Sequence, residues 1–167
     1  MAIVGISKGD LVAYVSDDDP CKKIGKVPVD ASDPSKGLKE ETQITEGATV
    51  FNIGGLDVFM MGWIYDRGQS ITRDAVEGEM GIQTKMNATA IEACRFGVRS
   101  WENFKDANGN DIEYKTNKRI VLGRDYVGLT DECLLTMGIR LVTELGNKIK
   151  EISNVTPADA KNSATAS

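Results

Sequence analysis

The chain has 167 residues, 41% hydrophobic and 27% charged, which suffices for one domain with a core and would crowd two. A net charge of −5 argues against a nucleic-acid groove, because phosphates need clustered Lys and Arg to neutralise them. Histidine is absent, which excludes Ser–His and Cys–His nucleophiles and removes the commonest imidazole metal ligand.

The cysteines Cys21, Cys94 and Cys133 are odd in number and widely spaced, with no C-x-x-C pair. They make neither a secreted disulfide framework nor a zinc knuckle, and free thiols in a reducing cytosol fit them. The start "MAIVGISKGD" is too short in its apolar part for a secretory signal. The longest apolar stretch, Val58 to Tyr65, falls well short of the ~20 residues that span a bilayer. A soluble protein made in a cytoplasm, with no membrane partner, is the expectation.

In chain order, Leu11 to Ser16 is β-branched and aromatic between Gly-Asp and Asp-Pro breakers, and reads as a strand. Lys22 to Val29 adds a second short strand, which Pro28 confines to an edge. Asp30 to Gly47 is polar and rich in breakers, and reads as a loop or mobile connection. Ala48 to Ile53 is the next strand, ended by Gly54-Gly55. Leu56 to Arg67 is apolar on most sides and predicts a buried helix capped by Asp57 and ended by Gly68, a central strand being the alternative.

From Ile82 onward, Met86, Ala90, Ala93, Cys94, Gly97, Val98 and Trp101 recur at three- and four-residue steps, the mark of one helical face. That helix is expected to end near Asp106, after an earlier short helix around Ser70 to Met80. Asn108-Gly109 then centres a tight turn. Asp111 to Thr116 alternates apolar and charged residues as a short strand, and Arg119 to Gly123 reads as another. The last long helix opens at Thr130 as cap, with Asp131 and Glu132 at its positive end. Its stripe is Leu134, Leu135, Gly138, Leu141, Val142, Leu145, Ile149 and Ile152, with Lys148 and Lys150 near its negative end. Thr156 and Pro157 restart a short helix, and the remaining tail should fray. The expected fold is α+β: short N-terminal strands and a small hairpin packed on a bundle of about three to four helices. It forms one domain over 1–155, with a polar loop near 30–47 and a tail over 156–167.

Two stretches invite a chemical reading. "DANGND" offers Asp106, Asn108, Asn110 and Asp111 as oxygen ligands, yet Gly109 comes one step early for a calcium loop and no Glu follows at the required distance, so a polar turn is the reading. Asp17, Asp18 and Asp19 would hold a divalent cation only with other groups converging on them; the reading is a solvated loop tip. The glycines match neither a phosphate loop nor a dinucleotide fingerprint. No catalytic, cofactor or metal residue is assigned. Trp101 and Phe104 share a face, and core packing is their default role; a partner patch would put one of them outside. Phe59, Met60 and Trp63 in the apolar segment join them as candidate partner-binding residues. The long C-terminal stripe belongs by default to the core of the chain itself.

Phe96 to Thr116 and Leu145 to Ser163 resemble a family of tailed-bacteriophage morphogenesis proteins. The resemblance is carried by Gly97, Trp101, Glu102, Asn103, Phe104, Asp106 and Gly109, then by Leu145, Ile149, Ser153, Thr156, Lys161 and Asn162. Ala48 to Leu56 is similar to the strand that precedes the family's first helix. The resemblance implies a phage assembly protein that is not an enzyme, in the manner of a tail-assembly chaperone holding another tail protein. The alternative it leaves is a permanent virion component such as a connector, tail-completion or decoration protein. Partners are then other phage structural or tail proteins, with self-association left open, no direct nucleic-acid contact, and a place in the host cytoplasm during assembly or in the virion.

Overall fold

A computed structural model of the chain describes residues 10–74 and 78–154, with the backbone alone at 34, 69–74 and 78–86. The architecture is α+β. The central sheet is three-stranded and antiparallel, with β4 (Val50–Gly54) between β1 (Leu11–Tyr14) and β5 (Val98–Glu102). Phe51 and Ile53 alternate on the inner face of β4 and are fully buried, which is why this short segment is the middle strand. Between β1 and β4 the chain makes a ribbon of its own from β2 (Lys22–Pro28) and β3 (Leu38–Ile44).

Three helices complete the core with the sheet: α1 (Val58–Asp74), α2 (Gly78–Gly97) and α3 (Asp131–Ser153), with α2 packed against both of the others and α3 against β4. Asp57 caps α1 as expected, its Oδ1 accepting from the Met60 N–H at 2.9 Å. The expected stop at Gly68 does not occur; the helix continues to Asp74. The separate helix expected within Ser70 to Met80 is instead the end of α1 and the start of α2, and residues 75–77 lie outside the described ones. So do the side chains of Ile82 and Met86 on the expected face of α2.

The largest correction falls at the end of α2. The helix stops at Gly97, and Val98 enters β5 directly, where a helix to Asp106 was expected. Val98 lies opposite Ile53, and Trp101 opposite Phe51, so ladder hydrogen bonds to β4 replace helical ones. Gly97 marks the break for a packing reason. A Cβ there would collide with the side chain of Ile149 on α3.

The helix α3 starts where the sequence indicates, with Thr130 Oγ1 accepting from the Cys133 N–H at 3.3 Å. It is kinked at Gly138, whose φ of 74° and ψ of 158° only glycine adopts readily. The kink shifts the phase of the buried face. Cys133, Leu134 and Met137 point inward before it, and Val142, Leu145 and Ile149 after it. Leu135, expected in the stripe, is therefore 82% exposed. Gly146 meets the Ala90 backbone carbonyl at a distance that leaves no room for a Cβ, so α2 and α3 are in backbone contact. Cys94 and Cys133 are buried free thiols, as expected; burial pushes Cys94 up to about 12.

The strands β6 (Thr116–Val121) and β7 (Arg124–Leu129) form a hairpin across α2. Leu122 and Gly123 turn it with φ of 50° and 71°, the twist that suits right-handed strands. The expected strand from Asp111 shrinks to one bridge, Lys105 to Asp111, and β7 was not anticipated. Among the described residues no helix is long and apolar enough to cross a membrane. The expected helical restart at Thr156 and Pro157 lies outside the described residues.

Candidate functional site

The ribbon is the region least explained by the packing of the rest. Its register runs from Lys22 opposite Ile44 to Pro28 opposite Leu38. Every residue of β3 is exposed, which overturns the expected loop over 30–47 without burying it. The strand forms because β2 supplies its ladder, a long-range cause that composition alone does not carry. At its tip, Asp30 accepts from the Ser32 N–H at 3.0 Å and from Lys36 Nζ at 2.7 Å. The Lys36 contact first, and Ser32 second, hold the Asp30 carboxyl down at about 2. A short 3-10 turn at Pro34–Lys36 follows, with Asp33 accepting from the Ser35 N–H. The tip is thus ordered by its own polar groups.

The ribbon has two unequal faces. Ile24, Leu38 and Ile44 lie on one of them, at 67%, 62% and 55% exposure. The other carries Lys23, Gly25, Val27, Lys39, Glu41 and Gln43. The sequence signal for β3 was present in the alternation Leu38, Glu40, Thr42, Ile44 after Gly37, whose φ is 94°. The charged residues between them hid it.

The aromatic candidates sit elsewhere and mostly inward. Trp101 Nε1 donates to the Ile112 carbonyl at 2.7 Å, and its ring meets Phe104 and Tyr114 edge-on at 5.4 and 5.0 Å. Phe104 packs on Phe51 at 5.3 Å, so both aromatics seal the corner between the sheet and the polar turn. Met60 is fully buried and belongs to the core, which removes it from any surface. Trp63 stacks edge-on with Phe96 at 6.2 Å beneath the Arg67 guanidinium. Phe59 is 45% exposed, and Arg124 covers its ring at 3.7 Å. The structure does not bring these five into one patch.

The acidic run after β1 is structural. Asp17 pairs with Lys22, Asp18 with Arg140 at 2.7 Å, and Asp19 accepts from the N–H groups of Cys21 and Thr49 at 2.8 Å each. Beside it, Glu144 of α3 accepts from Tyr14 Oη, Ser16 Oγ and the Asp17 N–H at 2.8 to 2.9 Å. These bonds tie β1 and the base of the ribbon to α3. Asp106 likewise closes its own turn, accepting from the Asn108 and Asn110 N–H groups at 2.9 Å, with Gly109 at φ 82°. Among the described residues no group of three or more Cys, Asp or Glu could hold a metal ion.

Two hollows remain. A cleft of about 640 Å³ between the sheet and β7 is lined by charges of both signs, Arg99 and Arg124 against Asp10, Asp57 and Asp125, and Tyr126 Oη donates across it to Asp57 at 3.0 Å. An apolar groove of about 400 Å³ runs between α2 and α3 at the kink, lined by Ile91, Leu134, Leu135, Ile139 and Val142. Arg95 is buried near it, donating to the Leu129 carbonyl at 3.0 Å and paired with Asp131 at 2.7 Å. Its Nε stands 3.4 Å from the Glu92 carboxylate without hydrogen-bond geometry. No known protein family, curated protein or solved structure matches the chain.

Proposed function

We propose that the chain is a non-enzymatic assembly protein of a tailed bacteriophage, acting by contact with other phage proteins. The observation that carries this reading is the ribbon of β2 and β3, which buries little of its own apolar surface and whose outer strand edges pair with no other strand among the described residues. An ordered arm of this kind suits a lasting contact, so a permanent virion component is the form of the reading it favours. Purified particles analysed by mass spectrometry test it. The protein should appear at a stoichiometry matching a structural ring or layer, and absence from mature particles would reject permanence.

The tail-assembly chaperone is the second reading, favoured by the groove at the α3 kink. There Leu135 and Ile139, 82% and 57% exposed, flank an apolar floor. A chaperone should co-purify with a neighbouring tail protein from assembling lysates and be missing from finished particles. In either role the host cytoplasm is where the protein works first.

A further inference from the structure

We propose that the outer edge of β3 pairs with β3 of a second copy of this chain, antiparallel and about a two-fold axis, so that the two ribbons form one four-stranded sheet. This rests on the reading of the ribbon as an assembly arm and names its partner. In the ribbon the Val29 N–H donates to the Gly37 carbonyl, and the Thr45 N–H to the Cys21 carbonyl. Hydrogen-bonded pairs alternate along an antiparallel ladder, so Lys23–Gln43, Gly25–Glu41 and Val27–Lys39 are the bonded pairs between these ends. Leu38, Glu40, Thr42 and Ile44 therefore aim their N–H and C=O groups outward on β3, as Lys22, Ile24 and Lys26 do on β2. Pro28 occupies the remaining outward position of β2 and has no N–H to offer.

The two edges thus differ. Lys22, Lys23, Lys26 and Pro28 guard β2 in the way that native edge strands are kept from pairing. The β3 edge carries no proline, and no bulge interrupts its register.

Charge selects the occupant and the register. Lys39 and Glu41 lie on the same face of β3, and each faces an uncharged residue of β2, Val27 and Gly25. Neither has an ion pair among the described residues. A two-fold placed at Glu40 puts Lys39 of each copy opposite Glu41 of the other, so both unmatched charges are matched at once. The same register puts Leu38 opposite Thr42 of the second copy, next to that copy's Ile24, which brings these two exposed apolar residues of one face together. Glu40 meets its own equivalent at the axis, and the flanking Lys26 of each ribbon lies opposite it on the same face. The arrangement is closed and isologous, so it stops at two copies.

The test is sedimentation or light scattering of the full chain over a micromolar to millimolar series. A concentration-dependent dimer is expected. Thr42→Pro removes an outward N–H without touching the ribbon's own ladder, and should give a monomer with the circular dichroism of the parent. Lys39→Glu and Glu41→Lys should each weaken it by roughly tenfold, from opposite charges becoming like ones at two symmetric positions, and the two together should restore it. A wild-type chain that stays monomeric throughout, a dimer indifferent to Thr42→Pro, or a folded double variant that fails to recover would overturn the proposal. A monomer that still enters particles overturns self-pairing and leaves the assembly reading standing. A dimer missing from particles supports self-pairing and counts against the permanent-component reading.

Discussion

Where Gly97 and Gly146 line the seam of α2 and α3 there is no room for a methyl group, whereas every side chain of β3 reaches solvent. The seam brings Gly146 against the Ala90 carbonyl and Gly97 against Ile149, and seals Cys94, Leu145 and Ile149 completely. Among the described residues the ribbon is tied to this body at its base, where Asp19, Lys22 and the Glu144 cluster hold the chain. Close-packed interiors transmit any added volume as strain, while a solvated ribbon absorbs it. The difference teaches where selection for folding ends and where selection for contact can begin: substitutions in the seam should be read out as stability, and substitutions in the ribbon as association.

The sharpest way to break that comparison is Gly146→Ala. The new methyl meets backbone, which cannot rotate away, so a loss of about 3 kcal/mol is expected, near the upper end for overpacking. Thermal melts of the two proteins decide it, and coincident melts would rule out a backbone contact between α2 and α3 at Gly146. Gly97→Ala should cost less, about 2 kcal/mol, because the Ile149 side chain it strikes can change rotamer.

Next in size is Glu144→Ala. It leaves the Tyr14 and Ser16 hydroxyls and the Asp17 N–H without their acceptor, at a cost of about 2 kcal/mol if solvent reaches them only in part. Burial first, and the bond to Glu144 second, raise the Tyr14 phenol well above its usual range. A raised folded value means that this contribution is full below the unfolded phenol's titration near ~10 and is lost as pH rises through the folded value. Absorbance titration should find Tyr14 protonated where an ordinary tyrosine ionises, and Glu144→Ala should bring it down.

How much of this could be read beforehand differs between the two regions. The start of α3 was legible at Thr130 because an N-cap is a local event, settled by a hydroxyl and an N–H three residues apart. The switch from α2 to β5 was not, because Val98 and Trp101 stand three apart, a helical spacing, and only the irregularity in the β4–β5 register sets them opposite Ile53 and Phe51. What decides it is Ile149, about fifty residues away, and the pairing of Trp101 with Phe51. β3 was hidden in the same way by its partner β2, and the phase of the α3 stripe by a kink at one glycine. The five aromatic and methionine candidates were chosen for hydrophobicity, which is the property that draws Met60 inward and makes Trp101 and Phe104 seal a corner.

A pH experiment probes the join between β7 and α3. Arg95, by hydrogen bond and by charge, holds the Asp131 carboxyl below its usual range. A depressed folded value gives stability that is present above the unfolded carboxyl's titration near ~3.9 and is lost as pH falls through the folded value. Asp131→Asn should therefore melt below the parent at neutral pH, with the gap closing under about pH 4. A gap that stays constant down to acid would mean that Asp131 acts there as a helix-start residue and not as the partner of Arg95.

The smallest effect belongs to the ribbon. Ile24→Ser removes an apolar side chain that is 67% exposed and touches none of the core, so the melt of the dilute protein should shift by less than about 0.5 kcal/mol. The dilute condition matters, because a concentrated sample would add whatever the ribbon gains from a second copy. Measured at both extremes, the variant separates folding from association in one side chain. A destabilisation that persists at high dilution would mean that the ribbon supports the body, and the contrast between a self-sufficient core and an arm made for contact would fail at its simplest point.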